Sequence, residues 1–359
     1  LTKDEETALE KDLSNEERAM RDRYDLTLGQ LAWRRATIDD DCDGDAELFK
    51  QEYPSNEEEA FLSSGRPRFS RSGLEMQGAI TKEAARDLET GDIHLSEDFH
   101  ASWEPMPEDE CVFHRYEAPR EGREYILIND PATGESQAMG LDPDCHSVLV
   151  LRAGYIDDDG QWVQPALAAR IRPPRRNYRD ACRWDGDVLE AAIYRLALYY
   201  GNCRIVIEMN KDTGVTELLK QRGRESEEPA VKFYTREVFN QREQKATTAL
   251  GWMTTEKNRE SLVNTLSAAI RSTGEDGAGI EIRCPHALAE CSHFEVNVKG
   301  RSAAAGGWHD DDVLALAIGM QCIGFATPYR VKRVKRQLPP EVKKILRKGA
   351  GKRRPGQYS

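Results

Sequence analysis

The chain has 359 residues, 32% of them charged, and a formal net charge of −12. That length accommodates about two domains, or one domain with extensions. It carries no run of 18 apolar residues and no basic-apolar leader pattern, so it reads as a soluble chain without a helical membrane span or an export signal of its own.

In chain order, Asp4 to Tyr24 is strongly charged, with Leu9, Leu13 and Met20 widely spaced, which predicts an exposed helix. Leu26 to Arg35 predicts a second helix packed through Leu28, Leu31 and Trp33. Neither can form a core alone. Because the sequence starts at Leu1 rather than Met, it reads as an excised piece.

The run Tyr125-Ile-Leu-Ile-Asn129 predicts a short buried strand, Ser147 to Arg152 a second, and Ala166 to Ile171 a third, with Ile156-Asp-Asp-Asp-Gly160 as a hairpin turn. An apolar helix follows over about 186 to 200, with Leu189, Ala192, Ile193 and Leu196 on helical spacing. A fourth strand, Arg204 to Glu208, comes directly after it. Three meandering strands, a crossover helix and a strand returning beside the first predict an α/β fold: a ribonuclease H-like mixed central sheet flanked by helices, with an N-terminal helical extension. In that arrangement Asp130 and Glu208 end neighbouring strands. A helix from about Asp310 to Phe325 could bring its acidic start, Asp310-Asp311-Asp312, to the same edge.

Carboxylates at the ends of buried elements are costly to desolvate unless something positive meets them. Several converging make a hard oxygen-ligand site suited to Mg2+ or Mn2+. That chemistry points to phosphodiester hydrolysis. Of the acidic triplet only one or two can face a metal, since neighbouring helix residues point about 100° apart.

Eight cysteines are scattered along the chain, several in strand or helix contexts, the usage of a reducing compartment. Cys284-Pro-His286 and Cys291-Ser-His293 offer zinc-type ligands. Their spacing fits no common finger, and buried thiols with ordinary histidines is the preferred reading. No G-x-x-x-x-G-K-[ST] phosphate loop occurs, so no ATPase site of that kind is present.

Four segments together resemble the nuclease half of the large terminase subunit of tailed bacteriophages: Asn129-Asp-Pro-Ala-Thr-Gly134, Ile207-Glu-Met-Asn210, Gly251 to Arg259, and Trp308-His-Asp-Asp-Asp-Val-Leu-Ala-Leu-Ala317. Upstream, Gln30-Leu-Ala-Trp-Arg-Arg35, Phe49 to Pro54 and Glu58-Glu-Ala-Phe61 resemble the end of that family's ATPase domain and its linker. The resemblance implies a linker over 1–70, a nuclease domain over 71–327 and a basic tail over 328–359. It also implies a two-metal endonuclease that cuts concatemeric double-stranded DNA during genome packaging in the host cell cytoplasm. A portal protein, a small terminase subunit and a homo-oligomeric ring would be the partners, with no membrane. The competing reading is a non-catalytic module that grips DNA or docks on the portal.

The resemblance makes Asp130, Glu208, Asp310 and Asp311 the catalytic metal ligands, with Asp312 turned outward. A fourth carboxylate would be Asp144 in preference to Asp142. Two ions about 3.5–4 Å apart, bridged by Asp130, would activate water and stabilise the leaving 3′ oxygen. Lys257, Arg259, Lys299 and Arg301 are candidate DNA-backbone contacts, with an ordinary solvated surface the alternative. His146 and His309 could orient water or phosphate, although a lone histidine is more often a structural hydrogen-bonder.

Residues 328–359 hold 12 Lys or Arg against the single acid Glu341, so the tail carries about +11 and the rest of the chain about −23. A basic arm on an acidic body can hold a phosphate backbone without attracting nucleic acid everywhere. A solvated end is the plainer alternative.

Overall fold

The computed structural model describes residues 3–40, 49, 53, 66–132, 145–173, 184–210, 214–224, 227–240, 245–274, 279–297, 300–305 and 308–330. Asp142, Asp144, Lys299 and nearly all of the basic tail lie outside them.

The N-terminal region forms three helices: α1 (Lys3–Asp12), α2 (Asn15–Tyr24) and α3 (Leu28–Asp40). The expected long first helix is split. Ser14 caps α2, accepting from the Glu17 amide while the Glu17 carboxylate accepts from the Ser14 amide. Leu13 and Leu31 are buried, but Trp33 is 52% exposed and does not pack inward as expected. It meets Phe49 and Tyr53 edge-on instead.

The body continues through β1 (Arg66–Pro67), α4 (Arg71–Ala84), β2 (Glu89–Leu95), β3 (Ala101–Pro105), β4 (Phe113–Arg115), β5 (Glu124–Asp130), β6 (Ser147–Arg152), β7 (Tyr155–Ile156), β8 (Trp162–Val163) and β9 (Ala166–Ile171). Then follow α5 (Gly186–Tyr199), β10 (Arg204–Ile207), α6 (Val215–Gln221), β11 (Thr235–Asn240), β12 (Lys245–Leu250), α7 (Glu256–Arg271), α8 (Pro285–Ser292), β13 (Phe294–Val296), β14 (Ser302–Ala304), α9 (Asp311–Cys322) and β15 (Thr327–Pro328).

The main sheet has the order β10-β5-β6-β9-β4-β2-β3, with β15 also pairing with β5. β5, β6 and β9 run antiparallel to one another in sequence. After the α5 crossover β10 returns parallel to β5, Ile207 opposite Asn129. This is the ribonuclease H-like core predicted from the apolar runs, extended on the β9 side by the β4-β2-β3 meander. The hairpin turn at Asp157 to Gly160 is also present, joining β7 and β8.

Strands β5, β6 and β9 read as continuous apolar runs because both faces are covered. Ile126, Ile128, Leu149, Leu151 and Val206 pack against α7, α8 and α9; Tyr125, Leu127, Val148, Val150, Ile205 and Ile207 pack against α5 and α6. Each fully buried Leu or Ile in such a core contributes about 1.5–3 kcal/mol of transfer free energy. Helix α9 lies very close to the sheet: a Cβ on Gly319 would sit 2.5 Å from Leu151 Cδ1 and 3.0 Å from Ile128 Cδ1. That closeness brings the acidic start of α9 to the strand ends.

Candidate metal centre

Asp130 ends β5 opposite Ser147 on β6. Ile126 and Ile128 face the α9 side of the sheet and Tyr125 and Leu127 the α5 side, so alternation sends the Asp130 side chain to the α9 side. Glu208 follows β10, its amide donating to Asn129 O at 2.9 Å. It shares parity with Val206, which is also on the α9 side. Asp130 and Glu208 are 6% and 4% exposed.

Glu208 is held by backbone: Asn210 N donates to Oε2 at 2.9 Å and Thr254 N to Oε1 at 3.2 Å. The second donor reaches it because the chain turns at Gly251 and pairs Trp252 alongside Glu208. Gly251 has φ +70, and a Cβ there would lie 2.6 Å from Ile207 O, so only glycine fits this turn without strain.

The acidic triplet is split three ways by the helix start. Asp310 precedes α9, is partly exposed, and accepts from Arg259 at 2.6 Å. Asp311, 7% exposed, accepts from Cys145 N at 3.0 Å, which places it beside the start of β6. Asp312, expected to turn outward, is instead the most buried of the three at 1%. It accepts from Arg170 at 2.5 Å, from Ser147 Oγ at 2.6 Å, and bonds His286 Nδ1 at 2.9 Å. The outward expectation fails because β9 carries a buried arginine that needs an anionic partner inside the protein. The backbone thus places Asp130, Glu208 and Asp311 at the same end of the sheet, on three different elements.

Behind them lies a second cluster, His286, Glu290 and Asp312, whose ligand-type atoms fall within 4.8 Å of one another. Glu290 Oε2 accepts from the Asp312 amide at 2.8 Å. Burial, and then the charges of Asp312 and Asp311, hold the Glu290 carboxyl well above the usual range. Burial also opposes ionisation of Asp312, but Arg170, His286 and Ser147 outweigh it and keep that group below the usual range. A cation already occupies this cluster in the form of Arg170, so it fits a structural network better than a metal site. Sequence reading missed Arg170 and Glu290, and took His286 for an ordinary histidine beside a buried thiol. The available signals were an arginine inside the buried run Ala166–Ile171 and the His286, Glu290 spacing of four on one helix face.

His146 is buried between two fixed partners: Nδ1 accepts from Ala132 N at 3.0 Å, and Nε2 faces Trp184 O at 3.1 Å. Burial lowers its pKa, against the opposing hydrogen bond to Trp184. It braces the end of β5 against the start of α5 rather than reaching outward. His309 is partly exposed. Lys257 and Arg301 are exposed, while Arg259 is engaged by Asp310. Cys284 accepts from Arg170 at 3.1 Å, and both Cys284 and Cys291 are buried outside any disulfide. Cys145 is disulfide-bonded, which departs from the reducing-compartment usage read from the sequence.

No family model matches the chain, and no curated protein matches it. Among solved structures, it is similar to the large terminase nuclease from thermophilic phage G20c with bound magnesium, at 16% identity and a TM-score of 0.37, covering 72% of this chain and 98% of that one. It is also similar to the same nuclease with bound zinc, at 16% identity and a TM-score of 0.34, covering 70% and 96%.

Proposed function

We propose that this chain is a metal-dependent endodeoxyribonuclease, the nuclease part of a viral DNA-packaging large terminase. The observation that supports the reading is the placement of three acids at one sheet end: Asp130 closes β5, Glu208 follows β10 with its amide on Asn129 O, and Asp311 of α9 accepts from Cys145 N just before β6. Like charges gathered at low exposure cost stability, and a bound cation offsets that cost.

The donor set fits a hard divalent ion, all oxygen and all carboxylate. Asp130, Glu208 and Asp311 would hold Mg2+ or Mn2+, with Asp310 at the rim. When bound, two such ions supply an activated water and charge stabilisation for the departing 3′ oxygen. The chain's own residues orient the ligands: Asn210 and Thr254 amides fix both oxygens of Glu208, and the Cys145 amide fixes Asp311. Asp310 holds Arg259 at the rim, and exposed Lys257, with Arg301 in a loose 3.6 Å pair with Glu256, would add positive charge for phosphates.

The packaging role is supported by the ordered sequence motifs from Gln30 to Ala317. On that reading the substrate is concatemeric double-stranded DNA, and the portal, the small subunit and further copies of the large subunit are partners in the host cytoplasm. Among the described residues no helix is long and apolar enough to cross a membrane. Supercoiled plasmid incubated with the protein and millimolar Mn2+ or Mg2+ should be nicked and linearised with little sequence preference, and EDTA should stop the reaction. Plasmid left intact by folded protein would favour a DNA-gripping or portal-docking module whose acidic cluster is structural.

A further inference from the structure

Trp308 is 40% exposed, two residues before Asp310 and three before Asp311. A single exposed apolar side chain is ordinary. This one is held in place. Its ring stacks on His293 with centroids 3.6 Å apart and planes 9° off parallel. The His293 ring is fixed in turn by Nδ1 against Ala289 O at 2.8 Å. The backbone is tied as well: Ala305 N donates to His293 O at 2.8 Å and Trp308 N to Ala305 O at 3.0 Å. An aromatic surface ordered before any ligand arrives loses little entropy on binding.

The surroundings select the ligand. Ser302, at the start of the strand leading to Trp308, is gripped by Glu260 and by Arg68. Arg301 is exposed just before it, and Arg259 stands on Asp310. Three residues of chain span at most about 10 Å, which bounds the Cα–Cα separation of Trp308 and Asp311. A flat π surface on the stretch that leads from Arg301 to Asp310, with Arg259 on Asp310 and exposed Arg301 3.6 Å from Glu256, matches a nucleotide: a ring or sugar face for the indole and phosphates for the arginines.

We propose that Trp308, backed by His293, is a nucleotide-contact residue that packs against the base or deoxyribose next to the scissile phosphate. The contact is sequence-tolerant, because every base has a π face. It rests on the nuclease reading above, and deepens it by placing one nucleotide of the DNA.

The test compares wild type, W308F and W308A for cleavage of a short duplex in Mn2+, and for fluorescence quenching by the same duplex in metal-free buffer. W308A should raise KM about tenfold, with kcat within about twofold, on the scale of one lost stacking contact. W308F should stay close to wild type in KM. Part of the DNA-induced quenching should vanish in both variants, since five other tryptophans remain to report general binding. Active wild type with unchanged KM in W308A and unchanged quenching in W308F overturns this inference alone. If W308A does not fold, quenching in W308F decides it. Wild type that neither binds nor cuts DNA overturns the nuclease reading and this inference with it.

Discussion

Arg170 of β9 and Asp312 of α9 form an ion pair at 2.5 Å in which both side chains are at most 3% exposed. The pair joins the third strand of the core to the helix that presents Asp311. Ser147, opposite Asp130 on β6, donates to the same carboxylate at 2.6 Å. One buried anion therefore ties α9, β6 and β9 together directly behind the candidate ligands.

Breaking that pair from one side leaves a buried charge without its partner. R170M and D312N should each lose about 3–5 kcal/mol of stability and most of the nuclease activity. Chemical denaturation and plasmid cleavage below the unfolding temperature check both. Wild-type stability in either variant would show that the charge is solvated.

Asp130→Asn should act in the opposite way. It removes a negative charge from a crowded site, so metal-free melting should be unchanged or higher. Cleavage should fall at least about a hundredfold. A large loss of melting temperature in EDTA would mean that Asp130 is a structural partner, and the ligand assignment would fail.

The core was legible in the sequence because β5, β6 and β9 are buried on both faces and read as uninterrupted apolar runs, with α5 on clear helical spacing. β2 and β3 were not, since their half-covered faces give no clean alternation. Asp130 and Glu208 were visible as acids closing buried strands. The roles within Asp310 to Asp312 were harder to read. They depend on where α9 starts and on Arg170, a counter-ion 142 residues away in sequence.

Gly251→Ala should be costly twice over. The residue has φ +70 and its Cβ would press on Ile207 O. A loss of at least about 1–2 kcal/mol follows from the backbone conformation alone. Because this turn carries Trp252 to Glu208, activity should fall further than stability explains. The check is activity at a temperature where the variant is fully folded; full activity there would separate the turn from the site.

The N-terminal helices should loosen in acid. The Arg35 hydrogen bond, against burial, lowers the Glu17 pKa from 4.5 to about 2. A depressed carboxylate stabilises above its unfolded pKa, and that contribution is lost as pH falls through the folded value. Amide-exchange protection of α2 and α3, corrected for intrinsic rates, should therefore fall between about pH 4.5 and 2, and R35M should abolish the change. Equal pH dependence in wild type and R35M would remove the pair from the account.

Deletion of the basic tail should begin after Arg330, because Pro328 pairs with Glu124 and Tyr329 N donates to Arg123 O at 2.7 Å. If the tail holds phosphates, DNA affinity should weaken, and each lost contact should lower the log–log salt slope by about 0.9. Cutting at saturating DNA and low salt should persist. An unchanged slope would assign DNA holding to the Lys257, Arg259, Lys299 and Arg301 surface.

The most direct test of the central claim is a crystal soaked in Mn2+ and measured for anomalous scattering. The account predicts peaks bounded by Asp130, Glu208 and Asp311, and none at His286, Glu290 and Asp312, where Arg170 already supplies the positive charge. A peak in the His286 cluster with the Asp130 end of the sheet empty would contradict it.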